Sequence, residues 1–304
     1  MDGIINVYKE AGFTSHDVVA KLRGICRQKK IGHTGTLDPQ ATGVLPVCLG
    51  SATRACEMLT DRTKEYVAEL LLGKITDTQD TTGTVLEERK VAVDEAQVRE
   101  VIGSFVGGYD QIPPMYSALK VNGKKLYELA RAGKEVERQA RHVDLPAIEI
   151  LEIRLPVVKF RVECSKGTYI RSLCADIGGK LGCGGTMQSL VRTRVGEFRL
   201  TDALTLTQLQ ELRDTGRLEE ALLPTDRIFA DFHAVHVEEK WRKLIDNGNA
   251  FYPGQTIEQT TYPMGEWVRV YREDDSFVGI YAYDGAKEWY KPVKIFPSNT
   301  ESRK

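Results

Sequence analysis

The run Gly32-His33-Thr34-Gly35-Thr36-Leu37-Asp38-Pro39-Gln40-Ala41-Thr42-Gly43 stands immediately before the aliphatic strand Val44 to Leu49. Three glycines in twelve residues let the backbone turn tightly and approach a ligand closely. Asp38 precedes a proline, which restricts it to an extended or turn conformation. The run is no phosphate-binding P-loop, because the Gly-Lys-Ser/Thr ending is absent. Two readings of Asp38 follow from chemistry alone: a carboxylate that stabilises an Asp-Pro turn, or a carboxylate nucleophile.

Outward from this run, Gly3 to Tyr8 reads as a strand. A helix follows, with Thr14 or Ser15 as its cap and Val18, Val19, Leu22 and Ile25 as its apolar stripe. Alternation over Glu65 to Leu72 marks another strand and Asp94 to Phe105 a helix. Strands are expected at Ala147–Ile153 and Val157–Cys164. A helix after Gly167 would carry Ile170, Leu173, Cys174 and Ile177 on one face. Between them, residues 114–142 hold seven Lys/Arg against three Glu and few bulky aliphatics. A long polar insertion of this kind is usually functional, and it reads as a basic arm reaching outward. After about residue 229, short strands recur at His233–Val237, Trp267–Tyr271, Phe277–Tyr283 and Lys291–Phe296, with a helix around Glu238–Asp246. This grain suggests a small β-barrel domain. The polar end, Pro297 to Lys304, is expected to fray.

The 304 residues are 41% apolar and 28% charged, with a formal net charge of −1. These values exclude a disordered or collagen-like chain. No run approaches the roughly 18 apolar residues of a membrane span. Residues 1–9 lack the basic and apolar regions of a secretory leader, so a cytoplasmic protein is expected. The near-neutral total hides segregation: residues 18–60 and 114–142 each carry +4 and residues 159–199 carry +5, while residues 200–304 carry −5. Brought together, the three basic blocks would form a surface suited to a polyanion; kept apart, they are solvated faces. Six cysteines without C-x-x-C spacing read as buried thiols, and no spacing suggests a metal site.

A second chemical cluster is Cys164-Ser165-Lys166-Gly167-Thr168-Tyr169-Ile170-Arg171, where cations alternate with an aromatic at a strand-to-helix junction. Such a set suits phosphates and an unstacked base, or merely surrounds a capped turn.

Taken together, these segments resemble the TruB family of bacterial tRNA pseudouridine synthases. Gly32 to Pro39 with Ala41-Thr42-Gly43 is similar to the family's catalytic motif, and Gly3 to Lys9 to its first strand. Lys64-Glu65-Tyr66 resembles its K-x-Y motif, and Pro114-Met115-Tyr116-Ser117-Ala118-Leu119-Lys120 the start of its RNA-gripping thumb. Lys166 to Arg171 resembles its arginine motif and Leu190-Val191-Arg192-Thr193 its late leucine motif. The matches run in order to about residue 200.

The resemblance implies an α+β fold. A catalytic domain over 1–229 would be built on a mixed, mainly antiparallel sheet with flanking helices, and its thumb would span about 114–142. A small PUA-like β-barrel would occupy 230–304. It implies an isomerase that converts the T-loop uridine of tRNA, position 55, to pseudouridine without metal or organic cofactor. Asp38 would be the nucleophile, by attack at C1′, addition at C6, or C2′ deprotonation. Arg171 would keep Asp38 ionised in a dry pocket. Tyr66 would stack on the flipped base and relay a proton, and Tyr169 and Leu190 would line the base pocket. His33 would hold the loop's flipped geometry. Lys9 would be structural or touch the site, and Lys64 would bind substrate. Lys120, Lys124, Lys125 and Arg131 of the thumb would grip RNA. The partners implied are the T-arm and acceptor end of tRNA, with no membrane, no obligatory protein partner and a monomeric enzyme. A non-catalytic tRNA-folding chaperone on the same scaffold is the alternative. A guide-RNA-dependent synthase is a third reading, disfavoured by the thumb and by the lack of long basic tails.

Overall fold

The computed structural model describes residues 1–121 and 123–297, so the tail from Ser298 onward, expected to fray, lies outside the described residues. The chain opens with β1 (Gly3–Lys9), α1 (Ser15–Ile25), β2 (Ile31–His33), β3 (Thr42–Leu49), α2 (Cys56–Thr60) and β4 (Lys64–Leu72). A hairpin of β5 (Lys74–Thr76) and β6 (Val85–Glu88) leads to α3 (Glu95–Gly103) and β7 (Tyr109–Gln111). The basic insertion contains β8 (Lys120–Val121), β9 (Lys124–Lys125) and α4 (Leu126–Arg131), and it returns through β10 (Arg141–Val143). Next come β11 (Ala147–Arg154), β12 (Val157–Cys164), α5 (Ile170–Lys180), β13 (Gly185–Val195), β14 (Phe198–Arg199) and α6 (Leu206–Asp214). The C-terminal part contributes β15 (His233–Val237), α7 (Arg242–Asp246), β16 (Trp267–Arg272), β17 (Phe277–Asp284) and β18 (Trp289–Ile295).

The central sheet runs β1-β3-β13-β4-β12-β11, with β2 and β14 added at its margins. All its pairings are antiparallel except β3 with β13. Strand β4 buries every second residue, from Lys64 through Tyr66, Ala68 and Leu70 to Leu72. That face, with Val158, Phe160 and Val162 of β12, packs against Leu173, Cys174 and Ile177 of α5 and Val98 and Ile102 of α3. Strand β3 is covered on both faces, which explains its unbroken apolar run. Val18 and Leu22 of α1 and Leu209 of α6 pack against Leu45 and Val47. Val44 and Cys48 meet Phe229, Ile280 and Phe296 on the other side. Of the two candidate caps of α1, Thr14 takes the role in a capping box with Asp17, while the Ser15 hydroxyl accepts from Leu37 N (2.9 Å).

The parallel seam is short: Val191 faces Thr42 and Arg192 faces Gly43. Gly43 has φ +105°, and a Cβ there would fall 2.2 Å from the Arg192 carbonyl oxygen. Only glycine permits both the conformation and the approach.

Two expectations change. The insertion does not simply reach outward: Ser117 and Leu126 are buried, and its root closes over a cavity described below. The C-terminal strands form a four-stranded sheet, β15-β16-β17-β18, that does not close into a barrel among the described residues. β15 lies parallel to β16, and loop residues engage the outer strands through the bridges Val237–Thr256 and Phe251–Tyr290. No helix among the described residues is long and apolar enough to cross a membrane.

Candidate active site

Asp38 lies in the loop between β2 and β3, and the loop is pinned from several sides. Lys9 Nζ donates to the Pro39 carbonyl (3.0 Å) and Gly12 N to the same oxygen (2.9 Å). Ala41 N donates to the Asp38 carbonyl (3.1 Å). The Lys9 side chain is fully buried, and burial lowers its pKa to about 8. It does not line the cavity, and its ammonium holds the loop that carries Asp38.

Arg171, on the first turn of α5, meets the Asp38 carboxylate in a fork: Nε to Oδ2 at 2.9 Å and Nη2 to Oδ1 at 3.2 Å. The guanidinium also donates to the carbonyls of Thr78 (3.1 Å) and Tyr116 (2.9 Å). A second carboxylate, Asp80, approaches Arg171 Nε at 3.9 Å, and its Oδ1 accepts from Thr78 Oγ1 and Thr82 N. One buried cation therefore faces two carboxylates. Desolvation pushes the Asp38 pKa upward, Arg171 opposes it, and Asp80 reinforces the rise; the net direction is up. The guanidinium thus offsets only part of the burial penalty.

These groups line a cavity of about 690 Å³ together with Leu37, Tyr66, Tyr169, Ile170 and Leu190. Tyr66 on β4 lies opposite Arg192 on β13. Burial raises the phenol's pKa despite the Arg192 side chain bonded to it, so the phenol stays protonated at neutral pH. Arg192 is 1% exposed and anchored by the carbonyls of Val44 (2.7 Å) and Gly35 (3.3 Å). Lys64 also lines the cavity; its ammonium donates to the carbonyls of Thr60 and Arg62, and burial lowers its pKa to about 8. Tyr169 is held by the Gln111 amide, which accepts from its N–H (2.8 Å) and donates to its carbonyl (3.0 Å).

The structure brings together Asp38, Tyr66, Arg171, Tyr169, Leu190, Lys64 and Arg131 around one cavity. His33 stands apart from the lining: its Nδ1 accepts from Gly35 N (3.3 Å), it meets His16 edge-on, and burial lowers its pKa. Lys120 and Lys124 are exposed on the arm hairpin, and Lys125 lies over Tyr127. Asp80 and Gln111 were not singled out from the sequence. Ser117 and Arg192 were quoted there only as parts of motifs. Asp80 and Gln111 offer no local pattern that would have found them.

A family model described as TruB family pseudouridylate synthase (N-terminal domain) matches residues 23–170. A model described as tRNA pseudouridylate synthase B C-terminal domain matches residues 171–230. A Lachnoclostridium phytofermentans protein named tRNA pseudouridine synthase B is 53% identical, covering 97% of this chain and 100% of its own length. Its namesake from Alkaliphilus oremlandii is 49% identical, covering 97% of each. A solved H/ACA ribonucleoprotein bound to a substrate RNA containing 2′-deoxyuridine has a TM-score of 0.74 at 27% identity, covering 97% of this chain and 85% of that one.

Proposed function

Since the chain belongs to the TruB family of pseudouridylate synthases, we propose that it isomerises the T-loop uridine of tRNA, position 55, to pseudouridine with Asp38 as the reacting carboxylate. The observation that carries the reading is the forked Asp38–Arg171 pair in a cavity that Tyr66 and Tyr169 also line. The target base would be extruded into that cavity, as enzymes acting on a base require. Attack at C1′, addition at C6 and C2′ deprotonation all need an ionised Asp38, and the fork supplies the opposing charge while fixing the carboxylate's direction.

Tyr66, kept protonated, offers a stacking face and a proton donor rather than a phenolate base. Leu190 and Tyr169 would exclude water, and His33 would steady the loop from outside the lining. Arg131, which lines the cavity, joins Lys120, Lys124 and Lys125 in holding the T-arm backbone. In this reading residues 1–229 are the catalytic domain and 230–304 a PUA-like module toward the acceptor end, in a monomeric cytoplasmic enzyme.

The test is tritium release from C5-labelled uridine in unmodified tRNA. Asp38→Ala is expected to abolish release while tRNA binding stays within a few-fold of wild type. Wild-type turnover by that variant would sink the assignment.

A further inference from the structure

Gln79 lies in the loop after β5, between Thr78 and Asp80, the two residues that this loop brings to Arg171. Its φ is +63°, in the left-handed region that glycine adopts freely and a residue with a Cβ only at a cost. Four other non-glycine residues share such a conformation, Arg27, Gln259, Asp275 and Glu288, and all four are exposed. Gln79 is half-buried beside the site. Glycine would avoid the cost, so a contact of the side chain has to offset it.

That contact is on α5. The Ser172 hydroxyl, 1% exposed, donates to Gln79 Oε1 at 2.8 Å. Ser172 follows directly on Arg171. The backbone of Gln79 is held elsewhere: its carbonyl accepts from Met187 N of β13 (3.0 Å), and its N–H donates to the Thr76 carbonyl (3.3 Å). The left-handed turn thus sends successive carbonyls two ways, that of Thr78 to the Arg171 guanidinium (3.1 Å) and that of Gln79 to β13. Thr78 and Asp80 line the cavity, and Gln79 between them does not.

We infer that Gln79 is a positioning residue: by clamping Ser172 it sets the first turn of α5 so that Arg171 meets Asp38 in a fork. The inference rests on the pseudouridine-synthase reading. A guanidinium carries its five donors in one plane. The fork uses Nε and Nη2, and the Thr78 carbonyl takes Nη1. One loop therefore holds both Arg171 itself and its chain neighbour, which fixes the place and the tilt of the guanidinium. Misplacing a reacting group by about 1 Å can cost on the order of 100-fold in rate, so a partial loosening is worth a smaller factor.

Gln79→Gly tests this, because it removes the clamp and relieves the backbone at once. The thermal midpoint should stay within about 3 °C of wild type, since the two changes oppose each other. The single-turnover rate on unmodified tRNA should nevertheless fall about five- to tenfold, with tRNA affinity unchanged. The acid limb of that rate should also move to higher pH. Burial and Asp80 raise the Asp38 pKa, whereas Arg171 and, to a smaller extent, Lys9 lower it. The Tyr66 and Tyr169 phenols also interact with its charge, and both stay protonated on the acid side. A guanidinium held less squarely lowers the Asp38 pKa less, so the carboxylate protonates at higher pH. Ser172→Ala should reproduce both changes, and the two substitutions combined should be no slower than either alone. Ser172 is buried, so if its alanine variant fails to fold, Gln79→Gly read against wild type decides. A wild-type rate in Gln79→Gly, a slowing with the acid limb unmoved, or effects of the two substitutions that multiply overturns the inference. Wild-type protein that releases no tritium from C5-labelled tRNA overturns the underlying reading, and this inference with it.

Discussion

Asp38 sits between opposing influences, and their balance sets the pH at which it can react. Desolvation and the Asp80 charge raise its pKa, while Arg171 lowers it, and the outcome is a rise above the ordinary value near 3.8. A nucleophile or base works only when ionised, so the single-turnover rate should fall on the acid side with a midpoint above 3.8. Asp80→Asn separates the contributions. Asparagine keeps an oxygen for Thr78 and Thr82 but removes the charge that disfavours Asp38 ionisation. The acid limb should therefore move to lower pH. The plateau should drop as well, because Arg171 loses one of its two carboxylate neighbours. A limb that moves to higher pH in Asp80→Asn would show that Asp80 acts on Asp38 by something other than its charge.

The elements differ in how openly the sequence displayed them. Strands β4 and β12 alternate buried and half-exposed residues, and α1 and α3 carry capping boxes, so local pattern was enough to find them. Asp38, Tyr66 and Arg171 were legible only because they lie in motifs; nothing local shows that β2–β3, β4 and α5 converge. Arg192 stayed without a role because its burial depends on β13 joining β4 on one side and β3 on the other, a contact between segments about 130 to 150 residues apart. Polar composition misled for the arm, since Ser117 is buried by tertiary closure rather than by its own character. The β3–β13 seam also carries a stability prediction. Gly43→Ala places a Cβ against the Arg192 carbonyl at positive φ. It should cost roughly 3–5 kcal/mol, read as a lower urea midpoint with little change in slope. Gly24→Ala is the control: this glycine lies within α1, where a Cβ has open space, and alanine there should gain about 0.5–1 kcal/mol. Equal stability of Gly43→Ala and wild type would mean that the seam can open without loss.

For the molecule as a whole, the question is which charges remain for a polyanion once the chain has folded. The sequence offered three basic blocks, and folding treats them unequally. In the 159–199 block, Lys159 pairs with Glu69, Arg161 with Glu149, Lys166 with Asp61 and Arg194 with Glu163. Arg171 is committed to Asp38, and Arg192 is buried against backbone carbonyls. Much of that block's +5 is thus neutralised internally or spent on the site. Lys120, Lys124 and Arg131 of the arm, by contrast, remain exposed, and Arg131 also lines the cavity. Binding of tRNA should therefore weaken steeply as salt rises, although the net charge is only −1. Measured as log affinity against log salt, Lys120→Ala and Lys124→Ala should each reduce the slope by about one, the loss of one phosphate contact. Lys159→Ala should leave the slope unchanged, because its ammonium already faces Glu69 at 3.5 Å. A slope that responds to Lys159 but not to the arm lysines would place the phosphate track along β12 instead of under the arm.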